Sequence, residues 1–210
     1  MSAPVLHNYD LDDSCYKVRL LAACMGQPLE TVAVDVFPGR EHLSPRYLAL
    51  NPTGGLPILQ DGDLTLWGAE AIMLHLARTR PGGARFLPEA PERAAHMHQW
   101  LVFAAGPLGV TSAARATAML GAPGDLDALR DAARQGLRAM DDHMAKSALL
   151  DVDWFAGPDP SLADLALFPA FALSRDYSVG HEEFPALRQW ARRVRRLDGF
   201  VTMPGIPDYH

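Results

Sequence analysis

The chain has 210 residues, 49% of them hydrophobic and 21% charged, a globular composition long enough for one large domain or two small ones. Its formal net charge of −6 argues against a nucleic-acid-binding protein, because such proteins usually carry a basic excess. No apolar run reaches the ~20 residues that a membrane helix needs, and the N-terminal residues lack the pattern of a secretory signal. We therefore expect a soluble cytoplasmic protein that binds neither nucleic acid nor membranes.

The two cysteines, Cys15 and Cys24, lie in one segment with helical spacing. Residues so placed in a helix are about 13 Å apart, whereas a disulfide needs Cα atoms within about 7 Å. The two thiols therefore cannot pair with each other, and a reducing compartment suits them.

The first eighty residues mix strand and helix patterns. Alternating valines predict a strand, apolar residues three and four apart predict a helix that Gly26 ends, and Asp61-Gly62 between two apolar runs predicts a hairpin. In chain order the predicted elements are a strand at 4–8, a helix at 15–25, a strand at 31–36, a short helix or turn at 44–50, strands at 57–59 and 64–66, and a helix at 69–79.

The segment 80–90 is rich in proline and glycine, which is typical of a domain boundary. Every pattern after it is helical. Pro107 should kink the first of these helices near Phe103, because proline blocks the hydrogen bond to the carbonyl four residues earlier. Later helical patterns run through residues 126–144 and 187–197. Between them, residues 162–173 are apolar on nearly all sides and so predict a buried helix.

Leu56 and Pro57 follow a glycine-rich break and open a strand, a place where a cis peptide bond can occur. A cis bond would turn the backbone of Leu56 outward and leave its N–H and carbonyl free to pair with a peptide ligand, as an added strand would. An ordinary glycine-proline loop before a hairpin is the alternative interpretation.

Ser161 and Asp164 stand three residues apart at the start of an apolar run. This spacing is typical of a capping box, in which each side chain satisfies a free backbone N–H of the helix start. We assign the pair a structural role and no catalytic one.

These motifs, in this order and across essentially the whole chain, resemble the glutathione S-transferase family. The resemblance implies an α+β protein with a thioredoxin-like, glutathione-binding domain at 1–80, a linker at 81–90 and an all-helical domain at 91–210. It also implies a homodimer whose active cleft, between the domains, holds glutathione as co-substrate on the first domain and an apolar electrophile against the second. The residues that carry it are 14–20, 48–52, Leu56-Pro57 and Ala71-Ile72 in the first part, and 154–157 and 161–169 in the second.

One departure from the family pattern lies at the γ-glutamyl site. Relatives commonly carry Glu-Ser or Gln-Ser just before the third helix, whereas this chain has Gly68 and Ala69. Backbone N–H groups and the helix dipole remain there to bind the ligand. Glu70 could serve the ligand amine from one position along, or it could be a solvated acid of the first helical turn.

The second departure concerns the group that donates a hydrogen bond to the glutathione sulfur and so favours its thiolate. The serine of serine-type relatives aligns with Asp12, whose charge would raise the pKa of the thiol, and the cysteine of cysteine-type relatives aligns with Ser14. We therefore assign catalysis to Ser14, with a helix N-cap as its alternative role. The roles of two further residues remain open. Cys15 could be a redox residue or an inert buried thiol, and Tyr9 could contact the sulfur or be a packed aromatic.

Arg40 and His42 occupy the loop after the second strand, where relatives often place a basic contact to the glycyl carboxylate of glutathione. We expect no metal site, because His96 and His98 point to different faces of a helix. Residues that could form the apolar wall of the cleft, or instead the core, are Trp100, Phe103, Arg115 and Met119.

These observations predict a glutathione S-transferase with a role in detoxification. It would bind glutathione through Leu56-Pro57 and the helix start at 68–70, activate the sulfur through Ser14, and conjugate it to, or exchange it with, a small hydrophobic electrophile. Two rival functions are a transferase-fold scaffold that no longer uses glutathione and a glutathione-dependent disulfide reductase that acts through Cys15.

Overall fold

A four-stranded mixed sheet with three helices forms the first part of the protein. The computed structural model describes residues 3–207, so the predicted ends of the two domains, at residues 1 and 210, lie outside the described residues. The predicted order β-α-β-α-β-β-α is confirmed. The elements are β1 (Val5–Asn8), α1 (Asp13–Cys24), β2 (Glu30–Ala33), α2 (Pro45–Leu50), β3 (Ile58–Asp61), β4 (Leu64–Trp67) and α3 (Ala69–Thr79).

The strands lie in the order β2-β1-β3-β4. β1 is parallel to β2 and antiparallel to β3, and β3 is antiparallel to β4. The parallel pair needs a crossover connection, which α1 supplies, whereas β3 and β4 join directly in the predicted hairpin. Because Asp61 pairs with Leu64, the two turn residues are Gly62 and Asp63, one position later than the sequence pattern indicates.

Two boundaries differ from the sequence prediction for local reasons. α1 begins at Asp13, two residues early, because the Asp12 carboxylate caps it by accepting the N–H of Cys15. β2 ends at Ala33 instead of residue 36, because the N–H of Val36 turns back to a nearby carbonyl and leaves the ladder. The structure also contains a cis peptide bond between Phe37 and Pro38, which the sequence analysis does not predict.

The second part is entirely helical among the residues described. The predicted kink near Phe103 is wrong: Gly106 leaves the helical region, with φ −105° and ψ −95°, and Pro107 opens a separate 3₁₀ turn, so the helix breaks. No helix in the described range 3–207 is long and apolar enough to cross a membrane. The helices are α4 (Pro91–Ala105), α5 (Val110–Leu120), α6 (Leu126–Ala148), α7 (Leu162–Ala172) and α8 (Pro185–Val194).

Helix α7 lies at the centre of the molecule. Each of its residues is buried, as the continuous apolar pattern predicts, and it packs against α1 and α3 of the first part and against α4 and α8 of the second. The two parts of the chain therefore share one hydrophobic core that surrounds this helix. The position and start of α7 consequently set how the sheet and the helical part meet.

The capping box at the start of α7 forms as predicted. The backbone N–H and the hydroxyl of Ser161 donate to one oxygen of Asp164, at 2.9 and 3.0 Å. The other oxygen accepts the N–H of Phe155, at 3.1 Å, and the indole N–H of Trp190, at 2.9 Å. Burial raises the pKa of the Asp164 carboxyl, and these four donors counteract that effect.

We expect Asp164→Asn to lower the free energy of unfolding by about 1–3 kcal/mol, because an amide nitrogen would then face the donors of Ser161. Ser161→Ala should cost about 1 kcal/mol, the usual value for a lost N-cap. Exposed Asp159 is the control, and Asp159→Asn should change stability by no more than about 0.5 kcal/mol. Urea unfolding measures all three, and an Asp164→Asn protein as stable as the control would contradict the expectation.

Candidate active site

The segments that the sequence analysis singles out meet at one edge of the sheet. His7 and Trp67, on β1 and β4, both pair with Ile58 at the start of β3. β1 and β4 therefore end where β3 begins, and the loops beyond them lie side by side. The segments brought to this edge are 9–14, 56–57 and 68–70.

The peptide bond between Leu56 and Pro57 is cis, as predicted. Asn51 holds the preceding loop, since its amide donates to the carbonyl of Gly55 at 2.8 Å and its carbonyl accepts the N–H and hydroxyl of Thr53 at 3.0 and 2.8 Å. The N–H and carbonyl of half-buried Leu56 form no hydrogen bond with any described residue. The edge thus offers a free backbone donor and acceptor.

Helix α3 starts beside this backbone without a side-chain cap. Its N-cap is Gly68, which adopts φ +86°, and Ala69 is buried at the first helical position. Glu70 accepts a hydrogen bond from Lys17 of α1 at 2.7 Å, and both side chains are largely buried. Glu70 is therefore not a solvated acid, and its charge neutralises a buried lysine.

The N-terminus of α1 brings together the residues considered for contact with sulfur. Asp12 is the N-cap, at 2.6 Å from the N–H of Cys15, so the capping role considered for Ser14 belongs to Asp12. Ser14 lies half-buried in the first turn, and its N–H donates to Asp13 at 3.0 Å. The hydroxyl of Ser14 forms no hydrogen bond with the rest of the described chain.

Three groups of α1 and its N-cap have shifted pKa values: the carboxyl of Asp12 and the thiols of Cys15 and Cys24. Burial and the neighbouring charge of Asp13 raise the pKa of Asp12 to about 6. Burial and the charge of Asp12 raise the pKa of Cys15, and burial raises that of Cys24 to about 11. Both cysteines are free and buried, as expected, and their thiols are held protonated, which disfavours redox chemistry at Cys15.

A cavity of about 350 Å³ lies between this edge and α5. Ser112 of α5 closes one side by donating to Asp13 at 2.5 Å, and Arg115 spans the gap by donating to the carbonyl of Leu11 and to Asp176. A groove of about 620 Å³ between residues 85–89 and the residues that follow α8 shares no residue with this cavity. The residues that line the cavity are Tyr9, Leu11, Asp12, Asp13, Val36, Ser112, Ala113, Arg115, Ala116, Met119 and Leu120.

Two of the four candidates for the apolar wall face this cavity and two do not. Arg115 and Met119 line it. Trp100 instead packs edge-on against Phe155, with ring centroids 4.7 Å apart, and against Phe103 at 5.3 Å. Helical spacing alone cannot separate these cases, because it places residues on one face of a helix without showing whether that face meets the core or a cavity.

His42 lies half-buried in the turn between β2 and α2. Its Nδ1 is buried and has no hydrogen-bond partner among residues 3–207, and burial together with nearby Arg40 lowers the pKa of its ring. The turn packs on the loop before Leu56, since a Cβ on Gly54 would lie 2.8 Å from a methyl of Leu43. No group of three or more potential metal ligands occurs in the part of the chain that is described.

The sequence analysis missed two contributors to the site. Lys17 reaches across from α1 to Glu70, and Ser112 reaches from α5 to Asp13. Both contacts join residues far apart in the chain, and no local spacing predicts such pairs. The charge of Lys17 on an otherwise buried helix face is the one signal that points to a required partner.

Comparison with known proteins agrees with this geometry. Residues 4–78 match the model of the glutathione S-transferase N-terminal domain, and residues 123–193 match that of the C-terminal domain. Glutathione S-transferase F9 of Arabidopsis thaliana is 32% identical over 164 residues, which are 74% of this chain and 72% of that protein. This chain belongs to the glutathione S-transferase family. Its fold is thus the expected thioredoxin-like sheet followed by a helical domain, and glutathione is the co-substrate of the family.

Two further proteins are similar to this chain over nearly its whole length. Maleylacetoacetate isomerase of Rhizobium meliloti is 29% identical over 205 residues, 93% of each protein. The crystal structure of a possible glutathione S-transferase from Rhodopseudomonas palustris superposes with a TM-score of 0.85 at 27% identity, covering 98% of this chain and 92% of that one. The protein is accordingly a glutathione-dependent transferase, and neither the scaffold nor the disulfide-reductase function is favoured.

Proposed function

We propose that this transferase joins the sulfur of glutathione to a small hydrophobic electrophile in the cavity beneath α5. The observation that carries the proposal is the meeting, at one sheet edge, of an unpaired backbone at Leu56, the uncapped start of α3 and the start of α1. These are the three kinds of group that a tripeptide thiol needs: a strand-like partner, a site for its terminal carboxylate, and a polar environment for its sulfur.

Glutathione would bind along this edge as an added strand. The N–H and carbonyl of Leu56 would pair with its cysteinyl backbone. The free N–H groups at Gly68 and Ala69 would bind the γ-glutamyl carboxylate at the positive end of the α3 dipole. His42, whose Nδ1 has no partner in the described structure, would donate to the glycyl carboxylate, and Glu70 would hold Lys17 rather than the ligand amine.

The sulfur would then lie at the N-terminus of α1. We assign the hydroxyl of Ser14 as the group that donates a hydrogen bond to the thiolate, because it is half-buried and otherwise unpaired in the first turn. The electrophile would occupy the cavity, whose apolar lining includes Leu11, Val36, Met119 and Leu120. We place the glutathione-binding unit at 1–80, the linker at 81–90 and the helical unit at 91–210.

Calorimetric titration of glutathione and an assay of its conjugation to chlorodinitrobenzene test this function. We expect saturable binding, and conjugation that Ser14→Ala reduces at least about tenfold, since a charge-assisted hydrogen bond contributes roughly 1.5–3 kcal/mol. Ser147→Ala, on α6 and outside the cavity, is the control. A protein that neither binds glutathione nor accelerates its conjugation would refute the proposal.

A second candidate function is glutathione-dependent isomerisation of an activated cis double bond. It is favoured by the near-complete coverage of the isomerase relative, whose name gives maleylacetoacetate as its substrate. Addition of the sulfur to the double bond, rotation and re-elimination would use the same edge and the same cavity. Incubation with maleylacetoacetate and catalytic glutathione separates the two functions, because an isomerase regenerates glutathione and a conjugating enzyme consumes it.

We expect glutathione affinity to be modest and Ala69→Ser to raise it severalfold. A serine at this first helical position adds a hydroxyl beside the γ-glutamyl carboxylate, although it adds no helix cap because Gly68 is the N-cap. Gly68→Glu should instead destabilise the protein, because the positive φ of +86° disfavours any side chain there. Calorimetry and thermal unfolding measure the two effects, and tighter binding by Gly68→Glu at unchanged stability would contradict this assignment.

We further propose that two chains associate as a homodimer in the cytoplasm. Edge strand β4 exposes Leu64 and Trp67, with 41% and 47% of their surface accessible, and α4 exposes Val102, with 69% accessible. Association through this strand and helix would remove these apolar side chains from water. The two buried, unpaired cysteines support a reducing compartment.

Sedimentation equilibrium should give twice the 22.9 kDa mass of one chain. Val102→Glu should shift the equilibrium toward the monomer, because it places a charge on an apolar contact. Leu149, which is 85% exposed at the end of α6, is the control, and Leu149→Glu should leave the mass unchanged. A wild-type protein that is monomeric at micromolar concentration would overturn the dimer.

A further inference from the structure

Two adjacent carboxylates at the start of α1 have different surroundings. Both oxygens of Asp13 accept hydrogen bonds, one from the N–H of Ser14 at 3.0 Å and the other from the hydroxyl of Ser112 at 2.5 Å. Asp12 accepts the N–H of Cys15 through one oxygen, at 2.6 Å. The side chain of Cys15 is also within hydrogen-bonding reach of this carboxylate, and Asp12 lines the cavity beneath α5, where it is only half-buried. Asp12 is therefore the carboxylate that a ligand in the cavity can reach.

Burial and the charged groups around Asp12 together raise the pKa of its carboxyl. Lys17 is bound to Glu70, and Arg115 of α5, which lines the same cavity, is bound to Asp176. Burial removes water and Asp13 adds a like charge, so the pKa of Asp12 rises to about 6, although the hydrogen bonds from Cys15 and the charge of Lys17 oppose this shift. The remaining titratable neighbours are the protonated thiol of Cys15 and the phenol of Tyr9. A group with this pKa is ionised at neutral pH and still able to hold a proton.

We propose that Asp12 is the catalytic base that removes the proton from the glutathione thiol. The S–H bond breaks, the proton passes to a carboxylate oxygen of Asp12 that faces the cavity, and the sulfur electron pair forms the bond to carbon of the electrophile. When a chloride leaves, Asp12 returns its proton to solvent; when the reaction is an addition, Asp12 can protonate the resulting carbanion. This inference rests on the proposed glutathione-transferase function, in which Asp12 has no assigned role.

The proton transfer removes the objection that an aspartate would oppose a thiolate. An aspartate that stays charged raises the pKa of a nearby thiol, because two negative charges then face each other. Transfer of the proton to Asp12 instead moves one negative charge from oxygen to sulfur and leaves a neutral acid beside the thiolate. Ser14 is then free to donate its hydroxyl hydrogen bond to the sulfur, so the two residues have complementary roles.

The deciding variant is Asp12→Asn, because asparagine is as good an N-cap as aspartate and α1 should keep its start. Asp10→Asn is the matched control: it removes the same charge two residues away, from an exposed side chain that pairs with Arg19. We measure kcat/KM against pH with glutathione and chlorodinitrobenzene, with iodoacetamide as a smaller second electrophile, and glutathione affinity by calorimetry.

With wild type and Asp10→Asn, kcat/KM should fall as the pH drops through about 6, since only the ionised carboxylate accepts a proton. Asp12→Asn should lose roughly a hundredfold or more at neutral pH, the usual contribution of a general base, and should lose that limb of the profile while it still binds glutathione. Asp12→Ser should recover part of the rate without recovering the limb, because a hydroxyl donates to the thiolate but does not take its proton.

Equal or higher activity of Asp12→Asn at neutral pH would overturn the inference and show that the carboxylate opposes thiolate formation. That outcome would leave the transferase function intact, because wild type would still bind and conjugate glutathione. Failure of wild type to bind glutathione, or to accelerate its reaction with either electrophile, would instead refute the transferase function and the inference with it.

Discussion

The buried carboxylate of Asp164 is the interaction on which the arrangement of the two parts depends. It gathers donors from the start of α7, from the preceding loop at Phe155 and from Trp190 of α8. An unpaired charge there would be costly, so the three segments are held in one relative position. Because α7 is buried on all sides and contacts both the sheet helices and the helical part, this cluster also sets how the two parts meet.

The sheet edge follows from topology and local loop geometry. The mixed register brings two strand ends and one strand start together, and the Asn51 side chain fixes the loop that presents Leu56. Helices α1 and α3 begin at this edge, so their positive ends converge. The salt bridge from Lys17 to Glu70 ties the two helices together behind the site. A thiol peptide would therefore meet a preformed surface.

Part of the geometry of the candidate site could be predicted from the sequence because its signals are local. The cis bond at Pro57 follows a glycine break, and the loss of a polar pair at Gly68 and Ala69 is visible as two residues. The roles of single side chains could be predicted less well from the sequence. Trp100 and Met119 are both candidates for the cleft wall from helical spacing, yet Trp100 packs against Phe155 and Met119 lines the cavity. Which inward face meets a core and which meets a cleft depends on how the helices pack.

Local sequence patterns were enough to predict the order of strands and helices, the break between the two parts, the buried helix with its capping box and the family resemblance. Periodicity, glycine, proline and capping residues act over a few positions. Two outcomes could be learned only from the folded chain: Glu70 neutralises Lys17, and Asp12 reaches the cavity with a raised pKa. Those outcomes depend on burial and on charges distant in the chain, and electrostatic interaction is set by distance in space, which the linear sequence does not contain.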